Sequence, residues 1–163
     1  MKATATVTVD RPVADVFEYI SNVERMSEWV VGVGETTRVA GDGTGVGDRY
    51  ESEYTYGGKT HDMTFEVTEY ESPTRLGITA PEGPFAFDGL LELEAVDGKT
   101  HVSNTIETGA DGRFTKFMFT VFRPVMRYMM RRQLRKELVE LKSILEGDGD
   151  QRPPERAVGA ATE

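Results

Sequence analysis

The polar residues best placed to do chemistry are two tyrosines and an asparagine set among apolar residues in predicted strands. Because neighbouring side chains of a strand point to opposite faces, Tyr50 and Tyr54 share one face of RYESEYTY, away from its glutamates. Asn104 lies on the apolar face of its strand by the same rule. Hydroxyl and amide groups between apolar walls orient a carbonyl, hydroxyl or acidic group of a ligand. The alternative is that all three are core residues whose polar atoms are satisfied by neighbouring groups or water.

Neither histidine belongs to a recognisable general-base arrangement. His61 has the inward parity of its strand but no carboxylate at a spacing that would orient it, and His101 has the outward parity. Asp62 and Glu66 fall on the opposite face from His61, and the chain has no cysteine, so no metal site is predicted. The glycine-rich stretch 41–47 precedes neither a Gly-Lys pair nor a helix, which indicates a hairpin connection rather than a phosphate loop. We therefore predict no catalytic residue, no cofactor and no metal.

Alternating patterns separated by Gly, Asp and Pro predict a series of strands joined by short connections. The first strand is predicted at residues 2–9, followed by an amphipathic helix in PVADVFEYI and a second short helix that ends at Trp29. Consecutive strands with short connectors predict an antiparallel meander. The further strands are predicted near residues 32–39, 48–56, 59–71, 75–80, 85–96 and 100–108.

A long helix is predicted over residues 113–146, where apolar residues recur at three- and four-residue steps. At about 100° per residue, the apolar stripe from Phe114 to Val125 and the leucine stripe from Leu134 to Leu145 lie on nearly opposite sides. One straight helix cannot aim both stripes at a single sheet. Since Pro124 lies at the change of phase, we predict a kink or break there, with a short helix before it and a longer one after.

Two arginines of this helix lie near the leucine side, and their role has two interpretations. Arg127 and Arg131 either extend along apolar surface with their guanidinium groups in water, or stand at the mouth of a cavity and receive an anionic head group. Trp29 likewise either lines the entrance or belongs to the core. The predicted ligand-binding residues are Trp29, Tyr50, Tyr54, Met63, Phe65, Leu76, Phe87, Leu91, Asn104, Ile106, Phe117, Val121, Arg127, Met130 and Arg131.

Charge is unevenly distributed along this chain of 163 residues, whose formal net charge is −9. Residues 113–146 contain nine Lys or Arg and three Glu, a net charge of +6, which leaves −15 for the remainder. An acidic body argues against nucleic-acid binding. The basic helix instead rests on the acidic sheet or faces an anionic membrane or ligand. No apolar run is long enough to span a membrane or resembles a secretory segment, so a cytoplasmic protein is expected.

Three stretches carry a resemblance to a known group of proteins: VDRPVADVFEYISNVERMSEWV, FEVTEYESPTRLGI and RRQLRKELVELKSILEG. Over residues 2–146 the chain resembles the START-related, Bet v 1-like (SRPBCC) superfamily, in particular its polyketide cyclase/dehydrase and lipid-transport branch. The resemblance implies an α+β helix-grip fold, in which a curved seven-stranded antiparallel sheet surrounds the final helix and an apolar cavity. The domain is then residues 1–146, and the Gly-, Pro- and charge-rich segment 147–163 is predicted to be a disordered tail. The residues that carry the resemblance are Pro12, Val16, Phe17, Ile20, Trp29, Val67, Glu69, Tyr70, Pro73, Arg75, Leu76, Leu134, Leu138, Leu141 and Leu145.

Three functions fit these observations. The leading hypothesis is non-catalytic binding or transport of a hydrophobic small molecule, such as a lipid or isoprenoid, in an internal cavity. The second is a polyketide cyclase or dehydratase in which Tyr54, Asn104 or an arginine positions an enolate. The third is a membrane-associated interaction module that uses Phe117, Met118, Phe122 and the arginines as an interfacial surface.

Overall fold

Seven strands, two α-helices and one 3₁₀ helix make up the fold in a computed structural model that describes residues 1–82, 86–109 and 113–160. For residues 82, 113–120 and 148–160 only the backbone is described. The strands are β1 Lys2–Val9, β2 Val33–Ala40, β3 Arg49–Tyr56, β4 Lys59–Glu71, β5 Arg75–Glu82, β6 Phe87–Val96 and β7 Lys99–Thr108. The helices are α1 Val13–Ser21, the 3₁₀ helix Val23–Glu28 and α2 Arg113–Ala160.

All seven strands form one antiparallel sheet in the order β1-β7-β6-β5-β4-β3-β2. Strands β2 to β7 form a meander, and β1 returns to the far edge to pair with β7. Two of the hairpins close through two-residue turns with positive φ, at Gly57 and Gly58 and at Asp97 and Gly98. The predicted α+β helix-grip fold is thereby confirmed.

Helical elements cover one face of this sheet. In α1, Val16, Phe17 and Ile20 are buried, as the amphipathic pattern predicts, and the 3₁₀ helix that follows packs against β2. Helix α2 packs along β1, where Leu134, Leu138, Leu141 and Leu145 are buried in the core. The apolar core therefore lies between the sheet and these helices.

The predicted break at Pro124 is wrong, because α2 is one helix from Arg113 to Ala160. The two apolar stripes do point in opposite directions, but the structure accommodates this by burying the leucine stripe and exposing those side chains of the other stripe that are described, at residues 121–125. Val121 and Val125 are 55% and 56% exposed, whereas Leu138 and Leu141 are fully buried. The helical backbone also continues through residues 147–160. The domain boundary at residue 146 and the disorder of the segment after it stay predictions.

Candidate functional site

The sheet face turned towards α2 presents rows of apolar side chains that cross the strands. One row runs Ala5, Asn104, Leu91 and Leu76 on β1, β7, β6 and β5, and the adjacent row runs Ala3, Ile106, Gly89 and Ile78. Asn104 is the polar member of these rows, and its side chain is only 6% exposed. Within the described ranges, no hydrogen bond to that side chain is found, and its amide atoms are not among the fully enclosed polar atoms that lack a partner. An amide held in this way between apolar neighbours is available to a bound molecule.

Aromatic side chains form the wall beside this amide. Phe65 is almost fully buried on β4, and its ring meets the edge of the Phe87 ring on β6, with 6.2 Å between the ring centroids. Phe87 and Ile106 are only partly buried. Gly89 is two residues from Phe87 on β6 and pairs with Ile106 on β7, and a Cβ there would come within 3.1 Å of Ile106 Cδ1. The absence of a side chain at Gly89 therefore lets the two larger side chains spread over the sheet.

A buried carboxyl group lies at the edge of the leucine stripe of α2. Glu137 is 4% exposed, and its Oε1 accepts hydrogen bonds from the backbone N–H of Val31 and from Gln133 Nε2, each at 3.1 Å. Burial raises the pKa of Glu137, although its two hydrogen bonds partly oppose that change. Glu137 is therefore a buried carboxyl group with a raised pKa at the junction of α2 and the segment that leads into β2.

Tyr54 lies beside this carboxyl group. A hydrogen bond joins its side chain to Gln133, and its pKa is raised first by burial and then by the negative charge of Glu137. The Tyr54 ring packs against Gly32, where a Cβ would lie 3.1 Å from ring atom Cε2, and Gly32 has a positive φ of 87°. In the β3–β4 ladder Tyr54 stands opposite His61. Phenol, carboxyl and amide groups thus meet where β3 approaches α2.

Tyr50 contributes to a different environment. It is 3% exposed, and its pKa is raised by burial and by the charge of Asp48, while a hydrogen bond from Arg38 opposes that change. Its side chain also lines a polar surface pocket of about 400 Å³ between the first two helices and β2–β3. The other residues of this pocket are Glu18, Ser21, Asn22, Glu24, Arg38 and Gly43.

The structure brings most of the predicted ligand-binding residues into one core. Buried members are Trp29, Tyr50, Met63, Phe65, Leu76, Leu91 and Asn104. Partly buried members that pack against that core are Tyr54, Phe87, Ile106 and Met130. Their role in binding stays a prediction.

Three other predicted members do not join this core. Val121, Arg127 and Arg131 are exposed, and their role in binding stays a prediction. Arg127 has the same angular position on the helix as Leu134, but it lies about 10 Å closer to the helix N-terminus, given the rise of about 1.5 Å per residue. The side chain of Phe117 lies outside the described residues.

Glu137 and Gln133 were not among the site residues predicted from the sequence. A signal existed, because Glu137 follows Leu134 by three residues and precedes Leu141 by four, which places it on the flank of the buried stripe. Among the described residues, no group of three His, Asp or Glu side chains is arranged to hold a metal ion. No helix within the described ranges has the length and apolar character to cross a membrane.

Comparison with known proteins places this geometry in context. The profile of the polyketide cyclase/dehydrase and lipid transport family matches residues 1–146. No curated protein sequence matches the chain.

Solved structures resemble the fold over nearly its whole length. TTHA0849 from Thermus thermophilus has a TM-score of 0.73 at 17% identity, covering 91% of this chain and 99% of that one. The Zhui aromatase/cyclase from Streptomyces has a TM-score of 0.63 at 13% identity, covering 92% and 94%. A START superfamily protein from Mycobacterium smegmatis has the same TM-score and identity, covering 92% and 97%. At these identities the likeness is one of fold.

Proposed function

Because the chain belongs to the polyketide cyclase/dehydrase and lipid transport family, we propose that it binds a hydrophobic small molecule between the sheet and α2. The ligand is lipid-like or isoprenoid-like, with one hydroxyl or carbonyl group that reaches Asn104. Binding without chemical conversion is the function that the site supports best. A cytoplasmic location stays a prediction.

Asn104 is the observation that carries this proposal. An amide in this position, with no hydrogen-bonded partner among the described residues, is satisfied either by water or by a polar group of a bound molecule. The surrounding Ala5, Leu91 and Ile106 supply apolar contacts only. A ligand whose polar end meets the amide while its apolar body covers the partly buried Phe87 and Ile106 satisfies both requirements.

Native mass spectrometry after purification from the original host tests this proposal. We expect a bound apolar compound in the wild type and its loss in Asn104→Leu, which keeps the branched shape and the number of heavy atoms of the side chain but removes the amide. The folded state of this variant should be at least as stable, since an unpaired polar group is replaced by an apolar one. Thr105→Val, a change on the outward face of the same strand, should keep the compound. A wild-type protein that is empty in every preparation, or equal retention by Asn104→Leu, would contradict the proposal.

A second candidate is an enzyme of the cyclase or dehydratase type, and Glu137 is the observation that favours it. The buried carboxyl with its raised pKa and the neighbouring Tyr54 hydroxyl are groups that exchange protons and stabilise an enolate. One structure of similar fold is named an aromatase/cyclase.

Turnover of a poly-β-ketone thioester distinguishes the two candidates. An enzyme that uses these groups should lose about 100-fold or more in kcat with Glu137→Gln, and less with Tyr54→Phe. Glu140→Gln, a change at an exposed position of the same helix, is the matched control. The absence of turnover in a wild-type protein that retains its ligand would leave binding as the function.

A further inference from the structure

The segment 121–132 of α2 exposes apolar side chains to solvent. Exposed fractions reach 56% at Val125 and 64% at Met129. At about 100° per residue, these side chains lie within an arc of about 160° on the side away from the buried leucines. We name this set the apolar arc; its members are Val121, Phe122, Val125, Met126, Tyr128 and Met129.

Arginines recur every four residues along the other side of this segment. The arginine row consists of Arg123, Arg127, Arg131 and Arg135. Arg132 and Lys136 add positive charge at the C-terminal end of the apolar arc, and no Asp or Glu occurs between residues 113 and 136. Within the part of the chain that the structure describes, none of these six cations lies within ion-pair distance of a carboxylate. A helix with an apolar side and a row of cations on the other side has the pattern of a helix that lies in a membrane interface.

We propose that residues 121–132 of α2 dock on the surface of an anionic lipid bilayer. The apolar arc enters the boundary between head groups and acyl chains, and the arginine row meets lipid phosphates. The remainder of the chain, with its charge of −15 outside residues 113–146, is repelled by the same surface. Contact is thereby confined to this segment. The inference is independent of small-molecule binding in the interior.

Charge favours a bilayer over a second copy of this chain. A two-fold dimer would pair this segment with itself, and a second copy would then offer its cations no carboxylate, since no Asp or Glu occurs between residues 113 and 136. The first acid of the segment after them is Glu137, which is buried and bonded to Val31. Lipid phosphates supply the missing negative charge.

Flotation with vesicles tests this docking. We expect the protein to bind vesicles of phosphatidylcholine with about 30% phosphatidylglycerol and not to bind vesicles of pure phosphatidylcholine. Binding should weaken as the salt concentration rises, because salt shortens the range of charge interactions. Arg127→Gln with Arg131→Gln should weaken binding about fivefold for each charge removed. Phe122→Ser with Met129→Ser should abolish it. Val96→Ser changes a 44% exposed valine at the β6–β7 turn and should leave binding unchanged.

The absence of cysteine permits a second measurement that reports on position. The fluorescence emission of an environment-sensitive dye attached to Val125→Cys should shift to the blue only when the anionic vesicles are added. The emission of the same dye attached to Val96→Cys should not shift. Binding that the arginine and apolar variants leave intact would overturn the proposal, as would no binding at low salt. A blue shift of the Val125→Cys label without lipid, together with a dimer in analytical ultracentrifugation, would assign the surface to a second copy instead. Circular dichroism confirms that each variant is folded, which the exposure of these positions leads us to expect.

Discussion

Residues 134–145 and residues 121–132 belong to one helix but differ in nearly every property except secondary structure. The first segment buries four leucines. Polar bonds reinforce its contact with the body: Glu137 Oε1 accepts from Val31 N–H at 3.1 Å, and Lys142 Nζ donates to the Thr8 carbonyl at 2.9 Å. Glu146 Oε1 also accepts from Asp10 N–H at 2.9 Å.

The other segment exposes its apolar arc, and no described residue forms an ion pair with its arginines. Burial therefore depends on which part of the sheet lies opposite a given turn of the helix, and not on hydrophobicity alone. An exposed segment of a helix can use its apolar side chains for binding, because the fold does not need them for its core.

The largest difference should appear when one apolar side chain is truncated in each segment. Leu138→Ala should lower the free energy of unfolding by about 3 kcal/mol, because it leaves a cavity in the core. Val125→Ala should change it by no more than about 0.5 kcal/mol. Urea denaturation of both variants measures the difference. Equal losses would show that the segment around Val125 is packed in the folded protein.

A smaller effect is expected at the buried carboxyl group. Glu137→Ala removes the acceptor of the Val31 N–H and should destabilise the fold by about 1 to 3 kcal/mol. Glu140→Ala, at an exposed position of the same helix, should be nearly neutral. A neutral Glu137→Ala would show that the two hydrogen bonds of Glu137 do no more than offset the cost of burying it.

The smallest effect concerns pH. Because burial raises the pKa of Glu137 above its ordinary value of 4.5, the folded state holds this proton to a higher pH than the unfolded state does. Its contribution to stability is therefore present below pH 4.5 and is lost as the pH rises through the raised pKa. Glu137→Gln should flatten the dependence of unfolding free energy on pH in this range, by at most about 1.4 kcal/mol per pH unit. The same slope in both proteins would mean that the pKa of Glu137 is not raised.

The sequence predicted the order of elements because strand alternation and turn residues are local signals. The positions of β1, β3 and β4 agree with the structure to within one residue, and the two glycines between β3 and β4 mark their hairpin. Asn104 was likewise predicted on the inner face, since its parity with Val102 and Ile106 is fixed by the pleat.

The errors arose where a local pattern does not determine a tertiary position. A helical wheel gives the direction of Arg127 but not what lies opposite it, so the sequence left two interpretations of this arginine open, and the structure shows that its side chain is exposed. The break at Pro124 followed from assuming that both apolar stripes must be buried. Glu137 was overlooked because charge suggests exposure, and only the three-dimensional contact with Val31 shows its burial.

Hydrogen exchange along α2 tests the division of this helix most directly. Backbone amides of residues 134–145 should be strongly protected in the free protein, whereas those of residues 121–132 should exchange much faster, because every side chain of that segment except Met130 is exposed. Addition of vesicles containing phosphatidylglycerol should slow exchange in residues 121–132 alone. Equal protection of both segments in the free monomer, or no change with anionic vesicles, would contradict the account.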